Sequence, residues 1–473
     1  MQPVLWNKLS VPETSLRSLF VGTEEMVPVV GGQKRKYINF DNAASTPALK
    51  QVLDAVNEFS KWYSNVHRGT GYKSRLSSWA FDKSRQHIYE FVHASPDHKI
   101  VLFSRNTTES INHLAHRFPF KKDDVVLTTV MEHHSNELPW RQVATVVHVN
   151  VLPDGRIDNQ DFQTKLREYR GRVALVSVTG ASNVTGYINP IHSYARWAHE
   201  AGAKIFIDAA QLAPHRPIDM KAPGDPEHLD YLAFSAHKMY APFGIGVLVG
   251  ERGIFEEGDP NLVGGGSVDI VTLENAYWTD LPDKEEAGTP DIVGAVALGT
   301  VINFMKDIGW DTIIRHEAEL TAHALEGLRR IKGVQMYGDL DPNNSGNRLG
   351  VIPLNVDSVP HALAAAILSY EWGIGTRSGC FCAHPYVKTL LHLRPEESRD
   401  LEARILRRDR SVLPGTVRIS FGIYNTTDEV DELCLALAEI ARGNYKSGYE
   451  LDKERGVYYR NDVEELFEGC LNL

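Results

Sequence analysis

The chain has 473 residues, 42% hydrophobic and 23% charged, a globular composition that excludes disordered and fibrous classes. Its 50 basic and 61 acidic side chains leave a formal charge of -11, which argues against a nucleic-acid partner, since a phosphate backbone demands a basic face. The four cysteines, Cys380, Cys382, Cys434 and Cys470, are too few for a disulfide framework and too irregularly spaced for a four-ligand zinc site, so no metal is expected.

Residues 1–20 lack a basic segment followed by an apolar one, so no signal peptide is expected. The longest apolar runs, such as 245–249, are far too short to span a bilayer. The expectation is a reduced, cytoplasmic protein with no membrane contact. The length allows two or three domains, or one large α/β enzyme with a single substantial core. From 99 to 250, short runs rich in Val and Ile alternate with helix-like stretches. The runs are 100–103, 125–129, 146–151, 173–178, 205–207, 231–234 and 245–249. They lack strict alternation, as strands buried on both faces do. Between them lie segments such as 190–201, with Ile191, Tyr194, Ala195 and Ala198 on one helical face. This order predicts a mostly parallel sheet covered by helices, with ligands at the carboxyl ends of the strands. A glycine turn at 264–266 closes this part. From Gly294 the pattern is helical, with a long helix expected within 304–331, and an α+β portion follows to about 442. Residues 394–410 are dense in charge and read as a solvated helix or a lid. Residues 445–473 read as a polar tail ending in a short amphipathic helix.

Polar residues follow four of the expected strands. After 100–103 come Ser104, Arg105, Asn106, Thr107, Thr108 and Glu109, ahead of a helix expected near Ser110. Helix N-terminal N–H groups with two hydroxyls make a phosphate cradle, although the same residues also read as a plain N-cap with a capping-box glutamate. After 125–129 come Glu132, His133, His134, Ser135 and Asn136. An imidazole there can stack on a flat heteroaromatic ring and move protons, or be an ordinary loop histidine. Adjacent histidines on one turn point apart, which argues against a metal pair. The run 205–207 leads into Asp208, with Gln211 just beyond. A carboxylate there suits a protonated pyridine nitrogen in an electron-sink cofactor, with Gln211 donating to a ring phenolate, and it equally suits a helix cap or turn. The run 231–234 leads into Ser235-Ala236-His237-Lys238. A lysine in a partly dry cleft has a lowered pKa and can form a Schiff base with an aldehyde, whereas by itself the segment reads as a surface lysine.

Taken together, these pieces resemble the class V aminotransferase and cysteine desulfurase superfamily of pyridoxal 5'-phosphate (PLP) enzymes, fold type I. Within it they are most similar to the group II, selenocysteine lyase-like desulfurases. The resemblance runs from about residue 37 to about 435. Besides the segments above, it rests on Asp41-Asn42-Ala43-Ala44-Ser45, Asn65-Val66-His67-Arg68-Gly69, Ser182-Asn183-Val184-Thr185-Gly186, Gly264-Gly265-Gly266-Ser267 and Glu286-Ala287-Gly288-Thr289-Pro290. Two later motifs are the loop Arg377-Ser378-Gly379-Cys380-Phe381-Cys382-Ala383-His384-Pro385 and the stretch from Arg418 to Asn425. The resemblance implies an α/β fold: a large PLP-binding domain (41–300) with a mostly parallel seven-stranded sheet covered by helices. A smaller α+β domain takes 1–40 and 301–442, and the tail 443–473 lies outside the resemblance.

The resemblance also implies roles. Lys238 corresponds to the Schiff-base lysine and Asp208 to the partner of the pyridinium. Gln211 and Asn183 correspond to phenolate and ring contacts, and His133 to the residue stacked on the ring. Thr107, Thr108, Ser235 and His237 correspond to phosphate ligands. Thr289 corresponds to a phosphate ligand given by a second subunit, which implies a homodimer. Arg418 corresponds to the clamp on the carboxylate of a small amino-acid substrate, with Asn42, Ala43 and Arg377 near the same end.

A desulfurase needs one further part, a thiolate that can take the substrate sulfur. Cys382 occupies the nucleophile position of the family's loop, where Arg377 and His384 favour the thiolate and a mobile loop gives access. The implied reaction removes sulfur from L-cysteine, or a related sulfur or selenium amino acid, giving alanine and a persulfide on Cys382 for an acceptor protein. The alternative is a class V aminotransferase, epimerase or C–S lyase in which Cys382 is not catalytic. Three features depart from the family pattern: Cys380, Asn106 where glycine is common, and a long segment between Pro385 and Arg418.

Overall fold

The computed structural model describes residues 13–67, 69–460 and 462. Arg68, Cys470 and the short amphipathic helix expected at the end of the tail lie outside the described residues.

All seven expected strands form, each within two residues of its expected ends. They are β1 (Lys99–Ser104), β2 (Val125–Thr129), β3 (Thr145–Val149), β4 (Val173–Thr179), β5 (Lys204–Asp208), β6 (Tyr231–Ser235) and β7 (Gly246–Glu251). They make one sheet in the order β1-β7-β6-β5-β4-β2-β3. All pairings are parallel except the two made by β7. The strands are apolar throughout because each face has its own core. Val101, Val176, Ile205, Ile207, Leu232 and Val247 point into one cluster, and Ile100, Leu102, Leu175, Phe206, Ala233 and Leu248 into the other. Helices cover both faces. Helix α1 (Lys50–Ser60), α2 (Tyr72–Phe91) and α5 (Ile191–Glu200) lie on the first side, and α3 (Thr107–Arg117) on the second; α4 (Asn159–Glu168) packs beside α5. The buried face of α5 is Ile191, Tyr194, Ala195 and Ala198, as its spacing predicts.

The long helix expected within 304–331 is found as α7 (Trp310–Arg329), but residues 304–308 belong to a separate helix, α6 (Ile292–Ile308). The two meet at 82°. Gly309 makes the break at φ +79°, a conformation that favours glycine and ends helical hydrogen bonding. Apolar periodicity continues through such a corner, which is why sequence alone merges the two. Helix α6 is apolar on nearly every side because it is sunk between α1 and α2. No single helix among the described residues is long and apolar enough to cross a membrane.

A second sheet has the order β8-β9-β11-β10, built from β8 (Val334–Met336), β9 (Val351–Val356), β10 (Arg377–Gly379) and β11 (Thr416–Ser420). Its core joins Ile38 and Phe40 to Ile352, Ile419 and the apolar faces of α7, α8 (His361–Trp372) and α11 (Thr427–Ala441). Between β10 and β11 come α9 (His384–Leu390) and α10 (Pro395–Leu406). Helix α10 buries none of its residues, matching the solvated-helix reading of this charged stretch. The described part of the tail is more ordered than a plain polar extension. Residues Glu450–Asp452 and Val457–Tyr459 pair as a hairpin against α8, and the Tyr449 hydroxyl donates to Glu371 at 2.8 Å. Tyr445 and Tyr449 supply the apolar contacts that hold it.

Candidate active site

The parallel register aligns Thr179, Asp208 and Ala233 across β4, β5 and β6, so the polar residues beyond these strands emerge at one edge of the sheet. There a cavity of about 340 Å³ is bounded on the other side by Arg418 of β11, Arg377 of β10 and the loop carrying Cys382. Of the residues picked out in the sequence, Ala43, Thr107, Thr108, His133, Asn183, Asp208, Gln211, Ser235, His237, Lys238, Arg377, Cys382 and Arg418 all line it.

Asp208 is buried, and the N–H of Ala210 donates to one of its oxygens at 3.0 Å. Burial pushes its carboxyl pKa up, opposed by that N–H and by the charge of Lys238. Lys238 follows β6 on a single turn of 3-10 helix, and no hydrogen bond or ion pair ties its amine to another described residue. Burial draws its pKa down to about 8, against the pull of Asp208. The amine is therefore a nucleophile and base near neutral pH.

Helix α3 begins at Thr107, three residues before its expected start, so both threonines sit in the first turn with the free N–H groups. Its cap is Asn106, whose side chain accepts from the Glu109 N–H at 3.0 Å. The cap φ of −171° is extended backbone that any residue adopts, so the departure from glycine at this position carries no strain. Glycine is required instead on the neighbouring strand β7, at Gly246, where a Cβ would strike the Asn106 backbone. The Thr107 hydroxyl lies 2.6 Å from the Ser235 hydroxyl, which also accepts the Thr107 N–H at 2.8 Å. Thr108 pairs with Ser135 at 2.7 Å. His237 stands beside them, its pKa lowered to about 4 by burial and by Lys238. Helix-end N–H groups, hydroxyls and a neutral imidazole are a donor set for a phosphate.

His133 accepts the Ser135 N–H on Nδ1 at 3.1 Å. Burial, helped by Lys238, His134 and Arg418, takes its pKa to about 3, so the ring is uncharged at neutral pH. That state suits stacking on a flat ring. The side-chain amides of Asn183 and Gln211 donate to the carbonyls of Phe381 and Ala43, at 2.8 and 2.7 Å. Each retains a second N–H.

The Cys382 loop is held at its carbonyls: Cys382 accepts from the His134 N–H at 2.7 Å and Phe381 from Asn183. Phe381 and Cys382 have φ of +52° and +55°, a strained pair of non-glycine residues. The Phe381 ring packs on the Arg418 guanidinium at 4.8 Å. This turn leaves the Cys382 thiol exposed at the cavity mouth. Cys380 differs: its thiol donates to the Pro414 carbonyl at 3.0 Å, and burial pushes its pKa up to about 11. It stays protonated at neutral pH and is no nucleophile there.

Two expected site residues lie elsewhere. Asn42 is buried outside the cavity lining, where its Oδ1 would meet any side chain placed at Gly422. The turn Asp41-Asn42-Ala43 aims backbone, not the Asn42 side chain, at the cavity. Thr289 lies outside this cavity as well, and lines two others, one of them with Asn65, His67 and Gly266. Two further residues escaped the sequence reading. Asp41 bridges both arginines, at 3.0 Å to Arg418 and 2.9 Å to Arg377. Glu132, next to His133 in the chain, is buried. Both stand inside quoted motifs, but nothing local marks the ion pairs of Asp41 to residues more than 300 positions away, or the burial of Glu132.

Residues 38–433 match the family model described as Aminotransferase class-V. The chain belongs to this family. A probable cysteine desulfurase from Halalkalibacterium halodurans is 36% identical over 418 residues, 86% of this chain and 93% of that protein. A cysteine desulfurase from Haloferax volcanii is 35% identical over 409 residues, 85% of this chain and 88% of the relative. Among solved structures, the apo cysteine desulfurase of Thermococcus onnurineus NA1 superposes with a TM-score of 0.75 at 32% identity, covering 86% of this chain and 95% of that one. The cysteine desulfurase CsdA of Escherichia coli gives 0.75 at 25% identity, with 93% and 100% covered. The chain is thus an enzyme of the class V aminotransferase and cysteine desulfurase superfamily, with the PLP fold type I architecture.

Proposed function

We propose that this enzyme is a PLP-dependent cysteine desulfurase that takes sulfur from L-cysteine, or a related sulfur or selenium amino acid. The products are alanine and a persulfide on Cys382. The observation that carries the reading is one exposed thiol in the same cavity as a half-buried lysine of lowered pKa, a buried aspartate and a buried arginine. The donor set fits PLP. Lys238 would hold its aldehyde carbon, Asp208 its ring nitrogen, and Asn183 and Gln211 its phenolate side. His133 would cover the ring face, while Thr107, Thr108, Ser235 and His237 would hold the phosphate. When bound, PLP supplies a ring that accepts electrons from the substrate carbon.

The chain's own residues do the rest. Arg418, held by Asp41 and Phe381, positions the substrate carboxylate, with Arg377 and the Ala43 backbone alongside. Lys238, basic near neutral pH, removes the Cα proton. The Cys382 thiolate attacks the substrate sulfur: an S–S bond forms, the C–S bond breaks, and its electron pair stays on carbon, which is then protonated. The exposed persulfide can pass to an acceptor thiol of a second protein. Thr289, outside its own chain's cavity, is available to complete the phosphate site of a second copy, so the working form is a homodimer. Persulfide chemistry on a free thiol fits a reduced, cytoplasmic setting.

Incubation of the PLP-loaded protein with cysteine tests this. The expected products are alanine and persulfide or sulfide in equal amounts, lost in Cys382→Ser, which still binds PLP. Pyruvate and ammonia, or an unaffected Cys382→Ser enzyme, would make it a C–S lyase and overturn the proposal.

A further inference from the structure

Of the two adjacent histidines after β2, only His133 lines the cavity. The His134 ring lies 6.4 Å from it at 50° and meets the loop that carries Cys382. It does so twice. The His134 N–H donates to the Cys382 carbonyl at 2.7 Å, and the His384 N–H donates to His134 Nε2 at 3.2 Å. The two rings then meet edge to face, with centroids 4.6 Å apart. We propose that His134 is a positioning residue whose imidazole fixes the turn that presents the Cys382 thiol to the substrate sulfur. This rests on the reading of Cys382 as the sulfur-accepting nucleophile.

The turn needs an anchor on each side. Phe381 and Cys382 have φ of +52° and +55°, and two successive left-handed residues other than glycine persist only where surrounding contacts over-determine them. Before the thiol, the anchors are the Cys380 thiol on Pro414, the Phe381 carbonyl on Asn183 and the Phe381 ring on Arg418. After it, the Ala383 N–H bonds only back to the Cys380 carbonyl, at 2.8 Å, which closes the turn on itself. His134 supplies the attachment on this side. Its partner, the His384 N–H, is one of the free donors at the start of α9, and the imidazole satisfies it.

The same residue ties the thiol to the cofactor cradle. His134 opens a turn of 3-10 helix, His134–Asn136, with His133 as its cap. Within it the Ser135 N–H donates to His133, and the Ser135 hydroxyl pairs with Thr108. One short turn thus touches the ring-covering imidazole, the phosphate cradle and the thiol loop. Attack on sulfur requires the reacting atoms ~3–3.5 Å apart and aligned, so a loop free to drift loses rate without losing substrate. A backbone N–H only donates, so this contact needs an uncharged imidazole. Burial, with His384 and Arg141, lowers the His134 pKa against the pull of Glu137, which keeps that state at neutral pH. Nothing in the sequence marks the contact, because 250 positions separate His134 from His384.

Full-length PLP-loaded wild type, His134→Leu and His134→Gln test the proposal in a single turnover with cysteine. Glutamine Oε1 lies as many bonds from Cβ as Nε2 does and restores the acceptor, whereas leucine fills space without one. His134→Leu should bind PLP and half-saturate its absorbance change at a cysteine concentration within about twofold of wild type. Its Cys382 persulfide, read by mass spectrometry, should form about tenfold more slowly, the loss of one hydrogen bond. In the absence of substrate, hydrogen exchange at the His384 amide should be about tenfold faster in this variant. His134→Gln should recover most of both effects. If His134→Leu does not fold, His134→Asn, whose acceptor stops one bond short, replaces it. An unaltered persulfide rate without the acceptor, or no recovery with glutamine, overturns the proposal. So does a loss that appears in PLP or cysteine binding instead. Wild type that forms no persulfide at all would sink the desulfurase reading itself.

Discussion

Replacing Glu132 with glutamine should change how stability depends on pH. Glu132 is 2% exposed, with the Thr129 hydroxyl 2.6 Å from Oε1 and the Asn136 amide 2.7 Å from Oε2. Burial pushes its pKa from 4.5 to about 8, assisted by Asp208 and opposed by those hydrogen bonds. A carboxyl whose pKa is raised on folding contributes stability that is complete below the unfolded value and is lost as pH rises through the folded one. A shift from 4.5 to about 8 corresponds to about 5 kcal/mol in total, of which about 4 kcal/mol falls between about pH 5 and about pH 9. Glutamine has nearly the same shape and does not ionise, so it escapes this loss. Urea unfolding of both proteins at the two pH values measures the effect. Other titrating groups act on both proteins and cancel in the difference. Glu132→Gln should gain about 4 kcal/mol on wild type between the two pH values. A difference that stays constant with pH would refute the claim that this acid is neutral in the folded enzyme.

Two further outcomes are expected. Burial would raise the Glu317 pKa, but His215, Arg216 at 2.6 Å and the Gly350 N–H hold it down to about 2. Its contribution, about 3 kcal/mol, is present above its ordinary value and lost as pH falls toward 2, so Glu317→Gln should be less stable by about that amount at neutral pH and by progressively less in acid, as read by denaturant unfolding. Asp41→Asn should raise KM for the amino acid about tenfold with kcat little changed, since it weakens a charge-assisted hydrogen bond that orients Arg418. Steady-state kinetics checks this, and a fall in KM would show instead that Asp41 competes with the substrate carboxylate.

The amino-acid sequence by itself determined the seven central strands and the amphipathic face of α5. A strand covered on both faces must be apolar along its length, and a half-covered helix must be apolar every third or fourth residue. It also marked Asp208, Lys238, Thr107 and His133, because a parallel sheet presents whatever follows each strand at one common edge. The tertiary structure alone decided how separate segments meet. It set the corner at Gly309, the seat of the tail hairpin, the burial of Asn42, the ion pairs from Asp41 to two arginines, and the meeting of His134 with His384. Local patterning records which side of each element avoids water. A hydrogen bond or ion pair between distant residues depends on chain direction and strand register, and those are settled only when the whole core packs.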